Sequence, residues 1–234
     1  MVSLRFPFSF SQPSKPSNNK GPSRSFSATA VSCSAAVVAG AGIAAGVAIS
    51  HSPANPFFQN ALNFGLKNID VYAFGVYADD GDIKKILGEK YGKVSASELK
   101  GHKEFNEDLI ENDINITVRL QIIYGRLSIR SVRSAFEESV GSRLRKFGGS
   151  DNKELLQRFT SQFKDEYKIP RGSIIDLSRE SGHVLRTTID GKEVGSIQSK
   201  LLCRALLDLY IGDDPFDPKA KEDIELNLAS LLQK

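Results

Sequence analysis

The side chains able to do chemistry are few and scattered in this chain. Two cysteines, Cys33 and Cys203, and three histidines, His51, His102 and His183, are spread over 234 residues. A structural zinc site or a disulfide framework needs its ligands at short, repeated spacings, so no metal is expected here. Cys203 stands among Leu201, Leu202 and Ala205 on an apolar helix face, where a thiol is expected to be buried and inert. His102 and His183 fall in polar loops and read as solvated. The sequence holds no nucleophile elbow, no H-E-x-x-H pair and no phosphate loop. Gly40-x-Gly42-x-x-x-Gly46 mimics a dinucleotide turn. That turn must follow a buried strand and open a helix within a βαβ unit. This context is missing, so no cofactor is expected. Arg126, Arg130, Arg133, Arg143 and Arg145 cluster along one helix that also carries Glu137 and Glu138, and a solvated face is the default reading.

Charge is divided unevenly along the chain. Residues 1–69 hold five bases, Arg5, Lys15, Lys20, Arg24 and Lys67, and no acid, leaving 26 of the 31 Lys and Arg against all 28 acids in residues 70–234. A near-neutral folded part lacks the basic footprint that nucleic acid requires, so no nucleic-acid partner is expected. Residues 1–34 contain ten serines, four prolines and four bases. That composition reads as an organelle transit peptide of the plastid type, with Val31-Ser32-Cys33 near its processing site. Residues 35–64 read as a flexible linker of small residues and prolines. The uncharged run 35–49 is too short to span a membrane, so no stable span is expected.

The folded part then starts near residue 65. Ile69–Ala78 is rich in Val, Tyr and Phe and reads as a strand. Asp82–Tyr91 and Ser95–Asn112 read as short helices, Ser95 and Glu98 forming a capping box. Ile114, Ile116, Val118, Leu120 and Ile122 alternate with Asn115, Thr117, Arg119 and Gln121, the signature of a half-buried strand. Val132, Phe136, Val140 and Leu144 recur every four residues, which predicts a helix over 130–147. Ser150 or Asp151 is expected to cap the next helix, with Leu155, Phe159 and Phe163 on one face up to Pro170. Ser173–Leu177 and a hairpin over 183–197, turning at Asp190-Gly191, follow, then a helix stopped by Gly212 and a last one over Pro218–Leu232. Grouped strands and clustered helices make the class α+β, with helices on one face of an antiparallel sheet. A pocket between sheet and helices is the natural ligand site.

Four blocks in order resemble one family: VYAFGVYADD (Val71–Asp80), TVRLQIIYGRLSIRSVRSAFEESVGSRL (Thr117–Leu144), FTSQFKDEYKIPRGS (Phe159–Ser173) and LLCRALLDLYIGDDPFDP (Leu201–Pro218). Together they are similar to the chalcone-isomerase fold over about residues 69–234, and most like its plant plastid fatty-acid-binding members. The resemblance implies an open-faced β-sandwich and a chalcone-isomerase-like domain over 65–234. It also implies a monomer in the chloroplast stroma that binds a saturated fatty acid in the sheet–helix cleft without catalysis. The isomerase's threonine is replaced by Tyr72, and its tyrosine, lysine and asparagine fall near Ser128, Ser131 and Ala135. None of these can polarise a ketone or hold a phenolate as the originals do, so no enzyme is expected. The alternatives are a chalcone–flavanone isomerase and a ligand-free helper of flavonoid or lipid enzymes.

By the same resemblance, the acyl carboxylate is held by Tyr72 and by an arginine on the preceding strand. No Lys or Arg occurs between Arg24 and Lys67, so that strand reads as deleted and binding as weakened, with Lys67 or Arg119 as substitute cations. Losing one partner of a buried charge pair costs about 2–5 kcal/mol, whereas a twelve-carbon tail gains on the order of 9 kcal/mol gross. The whole reading requires a crevice not plugged by side chains.

Overall fold

The computed structural model describes residues 45–48 and 71–233. The transit segment 1–34, Lys67 and all of the 35–64 linker except Ala45–Ala48 therefore lie outside the described residues. Among the described residues six strands form one antiparallel meander in chain order: β1 (Ala45–Ala48), β2 (Tyr72–Asp79), β3 (Ile116–Ile122), β4 (Ile174–Glu180), β5 (Val184–Ile189) and β6 (Lys192–Gln198). The α+β class and the antiparallel sheet are as expected.

Strand β1 departs from the linker expectation. Ala45 lies opposite Asp79 and Ala48 opposite Val76. AGVA has little strand propensity of its own. What the strand answers is the edge of β2, whose N–H and C=O groups need partners.

The strict alternation read in β3 becomes a two-faced sheet. Phe74, Leu120, Ile175 and Ile189 form one inward row, and Val76, Val118, Leu177 and Thr187 the next. Arg119, of opposite parity, faces outward. Gly75 also faces outward, because the Tyr77 ring lies over it; a Cβ there would stand 3.3 Å from the ring. Asp190 and Gly191 close the β5–β6 hairpin with φ of 50° and 77°, the conformation such a two-residue turn requires.

Seven helices among the described residues follow the sequence pattern with local differences. Helix α1 (Asp80–Tyr91) is capped by Asp79. Helix α2 (Ala96–Leu99) carries the expected Ser95–Glu98 capping box. Helix α3 (Lys103–Glu111) is capped by His102, whose Nδ1 accepts from the Phe105 N–H; this histidine is not merely solvated. Nor is His183, which is half-buried with Nδ1 3.4 Å from Asp113. Helix α4 (Ile129–Gly148) is the long amphipathic element. Helix α5 (Lys153–Thr160) starts after Asn152 without a side-chain cap bond and ends before Phe163. Ser150 and Asp151 therefore do not cap it, and Phe163 is buried from the following turn. Helices α6 (Lys200–Ile211) and α7 (Pro218–Leu231) close the chain.

The inward faces of sheet and helices merge into one core. Two arginines, Arg179 buried and Arg143 half-buried, pin helices to it. Arg179, 1% exposed, donates to the carbonyls of Leu109, Ile110 and Ile114. Arg143 donates Nε to Asp208 on α6 at 2.9 Å, so this arginine is not part of a solvated face. Arg130 and Arg133, by contrast, meet Asp165 at the surface.

Candidate functional site

Between the sheet and helices α4 and α6 lies an interior cavity of about 30 Å³. The sheet contributes Tyr72, Leu120, Ile122 and Ile175, and α4 adds Val132, Ala135, Phe136 and Ser139. Leu209 and Tyr210 of α6 and Phe216 of the following turn complete it. The sequence dictates this arrangement. Tyr72 stands opposite Ile122 and so shares the inward parity of β3, while Val132, Phe136 and Ser139 recur on one stripe of α4.

The wall is apolar with a small polar cluster. Tyr210 is 1% exposed. Burial first, then the neighbouring Tyr72, raise its phenol well above the ordinary value, opposed by the charge of Arg143. A hydrogen bond to Tyr72 is among the contributions, so the two phenols pair at the cavity. Ser139 spends its hydroxyl on the Ala135 carbonyl at 2.7 Å. Phe216 stacks on Tyr72 with ring centres 5.9 Å apart and meets Phe74 edge-on at 6.0 Å.

Tyr72 lines the cavity, and Arg119 does not. Arg119 projects from the opposite face of the sheet, where its guanidinium grips Asp176 at 2.8 and 3.0 Å and lies over the Tyr77 ring. Among the described residues no lysine or arginine lines the cavity. Of the positions near the isomerase's groups, Ala135 lines the wall, whereas Ser128 caps α4 and shares a hydrogen bond with Ser131. Cys203 is buried as expected, its thiol pushed up to about 11 chiefly by burial.

Sequence reasoning missed Tyr210 and Phe216. Tyr210 carries the one hydroxyl in the apolar row of α6, and Phe216 is an aromatic inside the polar turn GDDPFD; both were legible as oddities. The expected open cleft is also corrected. A cavity of about 30 Å³ holds roughly one water or one methylene, because aromatic side chains fill the rest. A larger groove of about 490 Å³ beside Leu127, Tyr167 and Pro170 is open to solvent and bridged by Arg130 and Asp165. It cannot keep a tail from water, so the interior cavity is the candidate. Among the described residues no group of His, Cys, Asp and Glu could hold a metal ion. No described helix is long and apolar enough to cross a membrane.

A family model described as chalcone isomerase like matches residues 64–225. The chain belongs to the chalcone isomerase-like family. It is 66% identical to fatty-acid-binding protein 1 of Arabidopsis thaliana over 167 residues, covering 71% of this chain and 60% of that protein. This chain therefore spans less than two thirds of that relative's length. A crystal structure of an Arabidopsis thaliana fatty-acid-binding protein superposes with a TM-score of 0.67 at 65% identity, covering 72% of this chain and 83% of the other. The chalcone–flavanone isomerase 1B-2 of Glycine max is 29% identical over 175 residues, covering 70% of this chain and 74% of that enzyme. The greater similarity to a protein named for binding agrees with the expectation that this chain is not an enzyme.

Proposed function

We propose that this chain is a non-catalytic, monomeric binder of a saturated fatty acid in the plastid stroma. The acyl tail lies between the sheet and helices α4 and α6, and the carboxyl end lies at Tyr72. The observation that carries this reading is the apolar cavity with one polar end, built from Tyr72 and Tyr210. Its relatives' names favour the same ligand class. The Ser-rich, acid-free residues 1–34 support the address, which import of the labelled full chain into isolated chloroplasts tests.

The resting cavity counts against a preformed lipid site: a twelve-carbon tail needs on the order of 300 Å³. Binding therefore has to displace side chains, and part of the roughly 9 kcal/mol of tail burial is spent on that. Affinity for the carboxylate is reduced further because β1, the strand preceding Tyr72, reads AGVA and carries no cation, and no Lys or Arg occurs between Arg24 and Lys67. A carboxylate without a cation in a dry pocket takes up a proton or stays out. Comparing lauric acid with methyl laurate on the wild type and Tyr72→Phe tests the head-group assignment. The wild type should prefer the acid, and Tyr72→Phe should lose about 1 kcal/mol of that preference. Identical selectivity in the two proteins would remove Tyr72 from the site.

A further inference from the structure

We infer that Phe216 is an internal plug of the cavity, occupying space that a bound chain takes over, and that it sets the length of chain the site accepts. The inference rests on the cavity being the acyl site, but its geometry stands alone. Phe216 lies on the short strap between α6 and α7, yet it is only 8% exposed. Its ring is enclosed by three others: Tyr72, Phe74 and Tyr210, with centres 5.9, 6.0 and 6.3 Å away. An aromatic carried by a turn and seated among ring faces fills the role of a hydrophobic ligand.

The strap that carries it is latched at several points rather than packed as a helix or strand. The Phe216 N–H donates to the Leu209 carbonyl at 2.7 Å. The Arg143 Nη2 donates to the Asp214 carbonyl at 2.6 Å, and the Lys221 Nζ to the Gly212 carbonyl at 2.8 Å. Asp217 caps α7 through the Lys219 and Ala220 N–H groups. On the strap itself the two cationic latches hold only carbonyls, while their carboxylate partners, Asp208 and Glu225, belong to α6 and α7. The ring can therefore leave by a side-chain rotation, or with the strap, without breaking secondary structure.

Volume sets the consequence. A Phe216→Ala change vacates on the order of 100 Å³. That is room for three to four further methylenes beside the single one the resting cavity holds. At the usual gain per methylene, chains longer by that number should bind about 50- to 200-fold tighter to the variant than to the wild type.

The test measures saturated fatty acids from eight to eighteen carbons on the wild type, Phe216→Ala and Phe216→Leu. A second arm follows the melting temperature of each protein with and without benzene. The plug predicts an affinity optimum three to four carbons longer in Phe216→Ala and an intermediate one in Phe216→Leu. It also predicts stabilisation by benzene in the alanine variant alone. Superimposable chain-length profiles together with no benzene effect would overturn it. If no fatty acid binds any of the proteins while benzene stabilises Phe216→Ala, the plug stands and the fatty-acid reading falls. If Phe216→Ala does not fold, Phe216→Leu decides by its chain-length profile: an optimum at longer chains than the wild type supports the plug, and a wild-type profile overturns it.

Discussion

Arg179→Met should remove a large share of the domain's stability. Arg179 is enclosed at 1% exposure and donates Nε to the Ile114 carbonyl at 2.7 Å, Nη1 to Ile110 at 2.6 Å and Nη2 to Leu109 at 2.9 Å. These carbonyls end α3 and lead into β3, where a helix terminus leaves acceptors without partners. Methionine fills much of the volume but satisfies none of them. Each orphaned acceptor costs about 1–3 kcal/mol, so the gross loss is roughly 3–9 kcal/mol. Against it stands relief of a desolvated cation. Burial pulls the guanidinium down to about 10, which corresponds to roughly 3 kcal/mol against the charged form. The difference is a loss of roughly 0–6 kcal/mol, about 3 kcal/mol at mid-range, or about a third of a domain stability near 10 kcal/mol. Urea unfolding followed by far-ultraviolet circular dichroism measures it. Arg179→Lys keeps the charge but offers one nitrogen, so it should recover less than half of the loss. A methionine variant within about 1 kcal/mol of the wild type would refute the claim that this cation's three bonds outweigh its desolvation.

Two further perturbations test the frame around the cavity. A Cβ on Gly212 would overlap the Asp208 carboxylate that Arg143 holds; Gly212→Ala should lower stability by about 1–3 kcal/mol, read from the urea midpoint. Asp113 and Asp108 are each raised by burial, but that is outweighed by the Gly182 and His183 N–H groups at Asp113 and by Lys90 and Tyr91 at Asp108. Both carboxyls therefore sit below their ordinary value near 4, and their stabilisation is complete above it and lost as pH falls through the lower folded values. The urea midpoint should drop as pH falls below about 4, and the Asp113→Asn, Asp108→Asn double variant should drop less over the same descent.

What was legible in the sequence was whatever local chemistry decides. The Ile114–Ile122 alternation became β3 because one face is buried and the other is not. The Ser95–Glu98 box and the Asp190-Gly191 turn formed as read, since both are fixed within a few residues. Cys203 and Tyr72 faced inward because helix and strand parity put them there. The misses are tertiary. Strand β1 exists only through pairing with β2, and its small residues carry no signal of that partner. Arg143 looked like its exposed neighbours until α6 brought Asp208 against it. Arg119 sits one residue out of phase with the inward row, and a shift by one in a strand changes the face. Phe216 shows how a turn can hide a core residue: the polar letters around it read as loop, and only the facing rings reveal where the side chain goes.

The central claim is that an acyl chain enters this cavity. The direct measurement is solvent extraction of the natively purified, full-length protein followed by mass spectrometry of the extracted lipids. The account predicts saturated fatty acid at sub-stoichiometric occupancy, competed away by added lauric acid. A well-folded protein that releases no acyl chain, and takes up none when saturated with lauric acid, would contradict it.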